Sequence, residues 1–293
     1  MTGVCEEGAE PSDPTERDQG AHDLIDPEAT NAAITGPELT GPELAGPELA
    51  DPELVRHDGW PALLWRAGPG WRMVSSAILG GGLGPRAWVL NMQVPPGYSR
   101  MDPVDHLTET AAAEGLSGAD GAGVGLMTAA DVAAFTTGED HGVRAWVTTG
   151  IGIPAWAAAP EPASLPSPLA RGEDGDRSPA YPPPGTINTI VAIPAPLTDA
   201  ALVNAVATAT EAKVQALVET GYACTGTPSD AVCVAALTPQ PGDSPELFGG
   251  PRSVWGSRLA RAVHAAVVQG ARDDRVRRDG VRPRLPKGSS WSP

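Results

Sequence analysis

"TINTIVAIPAPLTDAALVNAVATATEAKVQALVETGYACTGTPSDAVCVAAL", residues 186–237, decides the fold class of this chain. Its opening run, 186–195, is rich in β-branched residues and bounded by Gly and Pro, which marks a buried strand. Residues 197–221 then carry apolar side chains at helical spacing. Thr198 or Asp199 is placed to cap the N-terminus, and Gly221 to close the C-terminus. "AVCVAAL", 231–237, returns to a buried strand. Between helix and strand, "TGTPSD" crowds Thr225, Thr227 and Ser229 against Asp230. Hydroxyls beside glycine and proline usually make turns. A cluster of them against a carboxylate at a strand entrance is also where binding and catalysis are built.

Outward from this core the same alternation continues. "WRMVSSAI", 71–78, and "RAWVLNMQV", 86–94, read as strands joined by the Gly-rich turn "LGGGLGP". "DPVDHLTETAAAEGL", 102–116, reads as a helix, with Asp102 at the cap, Pro103 in the first turn and Gly115 at the end. "VRAWVTTGIG", 143–152, is a further strand, and "PRSVWGSRLARAVHAAVVQG", 251–270, a final helix. Strands and helices intermingle, so the expected class is α/β or α+β: a mixed sheet with packed helices in a single domain.

The 293 residues divide unevenly. Residues 1–54 hold fourteen acids and one Arg, a net −13, so the remaining residues carry only −3 of the total −16. Within 36–54 "GPEL" recurs every five residues. Proline at each fifth position blocks a continuous helix, and one Leu per unit offers little to bury. A disordered acidic tail is therefore expected over 1–54, with the folded domain over 55–270. A second Pro- and Ser-rich stretch, 157–184, reads as a disordered surface insertion. Residues 271–293, seven basic against three acidic, read as a flexible basic tail. Such a tail can touch nucleic acid, but its length and single aromatic favour plain solvation. No nucleic-acid partner is expected.

No apolar run reaches the roughly 18 residues of a membrane span, and the N-terminus lacks a basic and apolar leader pattern. Three cysteines, Cys5, Cys224 and Cys233, make no disulfide framework. A cytoplasmic protein without a membrane partner is the reading. The histidines show no HxxxH or HExxH spacing. His106, in "DPVDHL", sits among carboxylates, but no metal is expected.

The candidate site residues fall in segments where a strand meets a turn. Ser75 and Ser76 precede the Gly-rich turn, with Asn91 on the next strand. Thr186 and Asn188 lie at the start of the buried strand. Thr225, Thr227, Ser229 and Asp230 precede the strand of 231–237. Glu211 and Lys213 stand in the middle of the 197–221 helix, on opposite sides of it at i and i+2, so one of them is placed to face the strand ends.

Taken in order, "VSSAILGGGLGPRAWVLNMQVPPGY" (74–98), "GVGLMTAADV" (123–132), "VTTGIG" (147–152), "GTINTIVAIPAPLTDAALVNAVATATEAKVQAL" (185–217), "CTGTPSDAVCVAA" (224–236) and "FGGPRSVWGSRLARAV" (248–263) resemble the adenosylcobinamide amidohydrolase family (CbiZ-like). The sequence departs from the expected pattern at Gly80, where a side-chain amide is anticipated before the paired glycines. The resemblance implies hydrolysis of the amide joining a corrin propionyl arm to aminopropanol. Adenosylcobinamide would become adenosylcobyric acid, a step of corrinoid salvage into coenzyme B12. It implies no cofactor, since cobalt arrives inside the corrinoid substrate. Asp230, Thr227 and Asn188 are the expected catalytic groups. Ser75, Ser76, Asn91, Thr186, Thr225, Ser229, Glu211 and Lys213 are the expected substrate-binding ones. Whether a hydroxyl or a water attacks is left open, as is the oligomeric state. A non-catalytic corrinoid carrier or sensor is the reading from another class, and a different amide hydrolase or acyl transferase on the same scaffold is a third.

Overall fold

A computed structural model describes residues 49–116, 122–159 and 185–281. The GPEL repeats up to residue 48, the Pro-rich insertion from 160 to 184 and the last residues from 282 lie outside the described residues.

Among the described residues, two sheets and three α-helices make an α+β fold. The first sheet has the order β1-β2-β5-β6, from β1 (Glu53–His57), β2 (Trp60–Trp65), β5 (Trp88–Gln93) and β6 (Gly123–Thr128). The second has the order β4-β3-β10-β9-β8-β7. Its strands are β3 (Trp71–Ser75), β4 (Gly82–Pro85), β7 (Thr136–Asp140), β8 (Val143–Ile151), β9 (Gly185–Pro196) and β10 (Ala231–Leu237). Only β5/β6 and β9/β10 pair in parallel; every other neighbour is antiparallel. That mixture resolves the sequence-level alternative in favour of α+β. Helices α1 (Pro103–Ala113), α2 (Asp199–Glu219) and α3 (Val254–Val281) complete the domain.

Strand alternation sorts the side chains into layers. On β2, Ala62 and Leu64 face α1, while Leu63 and Trp65 face the second sheet. On β8, Val143, Ala145 and Val147 face α2 and α3, while Trp146 points back between the sheets. The order is therefore α1, first sheet, second sheet, then α2 with α3. Trp65 stands edge-on to Trp71 at 5.2 Å and tilted to Trp146 at 5.3 Å in the layer between the sheets. Each such pair is worth about 0.5–1.5 kcal/mol beyond the area it buries.

Three boundaries differ from the sequence reading. Strand β1 begins at Glu53, inside the expected tail; Leu49 and Asp51 just ahead of it hold Arg144 through the Leu49 carbonyl and an ion pair of 2.9 Å. The Gly-rich turn contains a strand of its own, β4, paired with β3. Helix α3 runs to Val281, so the basic segment from 271 begins as ordered helix rather than as a flexible tail. Gly270 does not terminate that helix. It is a point of close approach, where a Cβ would lie 2.3 Å from Thr149 Oγ1.

Candidate active site

Strands β9 and β10 enter the second sheet side by side, with Ala231 opposite Asn188. The antiparallel neighbours bring Ser75 opposite Cys233 and Thr148 opposite Asn188. The topology thus gathers the C-terminal ends of β3 and β8 and the N-terminal ends of β9 and β10 at one edge.

Asp230 is the hub of this edge. Its Oδ1 accepts the Ile187 amide at 2.9 Å and the Thr227 hydroxyl at 2.5 Å. Its Oδ2 accepts the Thr227 amide at 3.2 Å and the ammonium of Lys213. The two side chains of this ion pair are only 13% and 15% exposed, so stranding either one would cost several kcal/mol. Gly226 leaves room for the pair in this arrangement: a Cβ there would fall 2.2 Å from Asp230 Oδ2 and 2.7 Å from Lys213 Nζ. A cavity of about 200 Å³ opens beside it, lined by Lys213, Asp230, Thr189 and Thr210 among others.

The choice between the two charges of α2 is decided by helix phase. Lys213 turns inward onto Asp230, and Glu211 is exposed. Glu211 therefore does not belong to the site. Two residues of separation on a helix place side chains roughly 200° apart, so only one of the two can face the sheet.

The hydroxyls separate by where their single proton goes. Ser75 donates to the Val232 carbonyl at 2.8 Å and accepts the Ala77 amide. Ser229 donates to the Gly185 carbonyl at 2.9 Å, so Thr186 is the donor in the 2.6 Å contact between their hydroxyls. Thr225 donates to the Ala155 carbonyl at 3.2 Å and accepts the Ala157 amide. These four pin strands and loop together. Ser76 accepts the Val232 amide at 3.1 Å, is exposed, and has no acceptor for its own proton among the described residues. Thr227 alone of the six donates to a carboxylate.

On the opposite face of β9, between the sheets, lies a second polar group. Asn188 Nδ2 donates to Asn91 Oδ1 at 2.8 Å and to the Met127 carbonyl at 3.2 Å, while Asn91 donates to Thr148 Oγ1 at 3.1 Å. Both asparagines are 1% exposed, and Asn188 Oδ1 has no partner among the described residues. Asn188 has therefore spent its donors and has an acceptor to offer, so it is not placed to donate to an oxyanion. Thr148 and Gly226 escaped the sequence reading. The only available signal was a hydroxyl pair, "TT", inside an otherwise apolar strand.

Cysteine chemistry is disfavoured. Burial raises the Cys224 thiol, with the Asp230 charge adding to it, and burial pushes Cys233 up to about 12. Neither thiol is a nucleophilic thiolate at neutral pH. Iodoacetamide at pH 8 should leave the peptides containing Cys224 and Cys233 unmodified in the folded chain and label both after unfolding. Rapid labelling of Cys224 before unfolding would contradict this.

A larger recess of about 580 Å³ lies toward the other end of β3, between Trp71, Trp88 and Arg86. Among the described residues its lining carries no hydroxyl, carboxylate, imidazole or thiol, so volume alone does not locate the chemistry here. Gly80, the departure noted in the sequence, sits at φ +64°, and a Cβ there would meet the Gly123 carbonyl at 1.8 Å. No side chain fits in this arrangement of the turn, whose Leu79 pairs with Gly125 of β6.

A family described as adenosylcobinamide amidohydrolase matches residues 48–279. The chain is 29% identical over 201 residues to an adenosylcobinamide amidohydrolase of Methanosarcina mazei, covering 67% of this chain and 88% of that protein. It is 33% identical over 213 residues to one of Halobacterium salinarum, covering 72% and 83% respectively.

Proposed function

The chain belongs to the adenosylcobinamide amidohydrolase family, and from that premise we propose that it hydrolyses the amide between a corrin propionyl arm and aminopropanol, leaving adenosylcobyric acid. The observation that carries the assignment of roles is the Thr227 proton. Thr227 donates it to Asp230 Oδ1, while Lys213 and the Thr227 amide hold the other carboxylate oxygen. Nucleophile, base and orienting group in hydrogen-bonded sequence are what an activated hydroxyl requires.

In this mechanism Thr227 Oγ1 attacks the amide carbon and its proton passes to Asp230. The C–N bond then breaks as the leaving nitrogen takes that proton, and aminopropanol departs. Water cleaves the resulting ester, giving the carboxylic acid and restoring the Thr227 hydroxyl. Lys213 keeps Asp230 aligned throughout. Ser76 has a free proton for the substrate carbonyl or a peripheral corrin amide. The unpaired Oδ1 of Asn188 is an acceptor for a substrate N–H that reaches the layer between the sheets. The cobalt is substrate, and the residues named here need no further group for amide hydrolysis.

On this reading the protein acts in the cytoplasm, returning cobinamide to coenzyme B12 synthesis; among the described residues no helix is long and apolar enough to cross a membrane. The test is incubation with adenosylcobinamide, following free aminopropanol and the new corrinoid carboxylate by mass. Equal amounts of both are expected. Retention of corrinoid colour on the protein with no aminopropanol released would instead make it a carrier.

A further inference from the structure

We propose that His57, Asp58 and His106 form a binding site for a divalent first-row metal cation, of the Zn²⁺ type, that clips the β1–β2 turn to the first turn of α1. The three offer one ligand atom each, and these atoms all lie within 4.8 Å of one another. This is the one such group among the described residues. His57 Nε2 and Asp58 Oδ2 are already 3.5 Å apart. Two ligands on a tetrahedral zinc, at bond lengths near 2.1 Å, stand about 3.4 Å apart. That pair therefore needs almost no movement, and the His106 nitrogen lies within 4.8 Å of both of its atoms. The two imidazole rings are tilted by 55°, with centroids 6.1 Å apart.

The surroundings fit the same occupant. Tyr98 Oη lies 3.0 Å from His106 Nδ1, and its ring stacks on the imidazole at 5.6 Å. With Nδ1 engaged by the phenol, Nε2 is the nitrogen available to a metal. A hydrogen bond at the second ring nitrogen is the usual support of a metal-bound histidine. Arg100 is the nearby cation, and its charge is taken up by Asp102 at 2.7 Å and Glu109 at 2.9 Å. Two imidazoles and one carboxylate suit Zn²⁺ and Co²⁺ better than Mg²⁺ or Ca²⁺, which prefer oxygen ligands. Asp58 is 78% exposed, which leaves a fourth position for water. The site lies on the first sheet and α1, apart from Asp230 and Thr227, so its role is to fasten layers rather than to act on the amide.

The probes are Co²⁺ and Zn²⁺, added to the full chain after removal of metal with EDTA. One equivalent of Co²⁺ should produce visible d–d bands that Zn²⁺ abolishes, and the melting temperature should rise with Zn²⁺ concentration by mass action. Removing a ligand should weaken binding at least about tenfold, and Tyr98→Phe by about 10- to 100-fold. Asp58→Asn is the decisive variant. Asp58 and Gly59, at φ +50° and +82°, form a two-residue hairpin turn that Asn tolerates as well as Asp, so the fold is preserved. Unchanged cobalt spectra and affinity in Asp58→Asn, or in His57→Gln/His106→Gln, overturn the proposal. So does a chain that takes up no Co²⁺.

Discussion

Thr227→Val should fold like the parent and lose amide hydrolysis by about 10³-fold or more, the scale on which removal of an activated nucleophile acts. Valine keeps the shape of threonine and deletes the hydroxyl. The Thr227 amide still reaches Asp230 Oδ2 at 3.2 Å, and the Ile187 amide and Lys213 still hold the carboxylate. A melting temperature within a few degrees of the parent is therefore expected. Thr227→Ser should keep most of the turnover. Asp230→Asn should lose turnover as well, and it should also destabilise, because Lys213 would face a neutral amide at 13% exposure. Single-turnover rate and melting on the same sample separate the two effects. A rapid-quench mass measurement should show the parent carrying the substrate's acyl group on the 224–237 segment. Thr227→Val with full turnover would return Thr227 to the role of a loop pin and leave water as the attacking group.

Ending the chain after Gly270 should remove most of its stability, whereas ending it after Val281 should leave a single cooperative transition. The last turns of α3 carry structure that the core depends on. Ala271 is fully buried, and its carbonyl lies 3.2 Å from the Tyr222 hydroxyl. Asp274, 6% exposed, accepts from Tyr222 at 3.1 Å and from the Ile151 amide at 3.3 Å, and pairs with Arg278 at 2.8 Å. Arg277 donates to the Thr149 carbonyl at 3.2 Å. Truncation exposes the Tyr222 pocket and strands several buried groups at once. Each stranded donor or acceptor costs about 1–3 kcal/mol, against a total stability of about 5–15 kcal/mol. Tyr222→Phe, which removes only the hydroxyl, should cost about 1–3 kcal/mol. Urea denaturation of the three chains gives the comparison. Coincident midpoints for the chains ending at 270 and 281 would show the last turns to be dispensable.

The sequence by itself determined the elements whose signals are local. The apolar run at 186–195, the periodic helix after Thr198 and the apolar 231–237 appear as β9, α2 and β10, with Thr198 accepting the Ala201 amide as cap. It also carried the family, because the ordered blocks from 74 to 263 are specific as a set. Tertiary structure decided what depends on pairing across distance. Strand order and the split into two sheets follow from register between segments far apart in the chain, and no local propensity encodes register. The inward turn of Lys213 rather than Glu211 depended on which face of α2 met the sheet. The sorting of six similar hydroxyls depended on which carbonyl, carboxylate or hydroxyl stood within hydrogen-bond reach, and for Ser76 none does among the described residues. Gly270 reads as a stop in sequence, yet Thr149 packs against it and Asp274 beyond it finds buried partners, so the helix continues. His57 and His106 have no metal spacing in the chain. They meet because a hairpin turn and a helix start are packed side by side on the first sheet, and a motif read along one strand of sequence is blind to that.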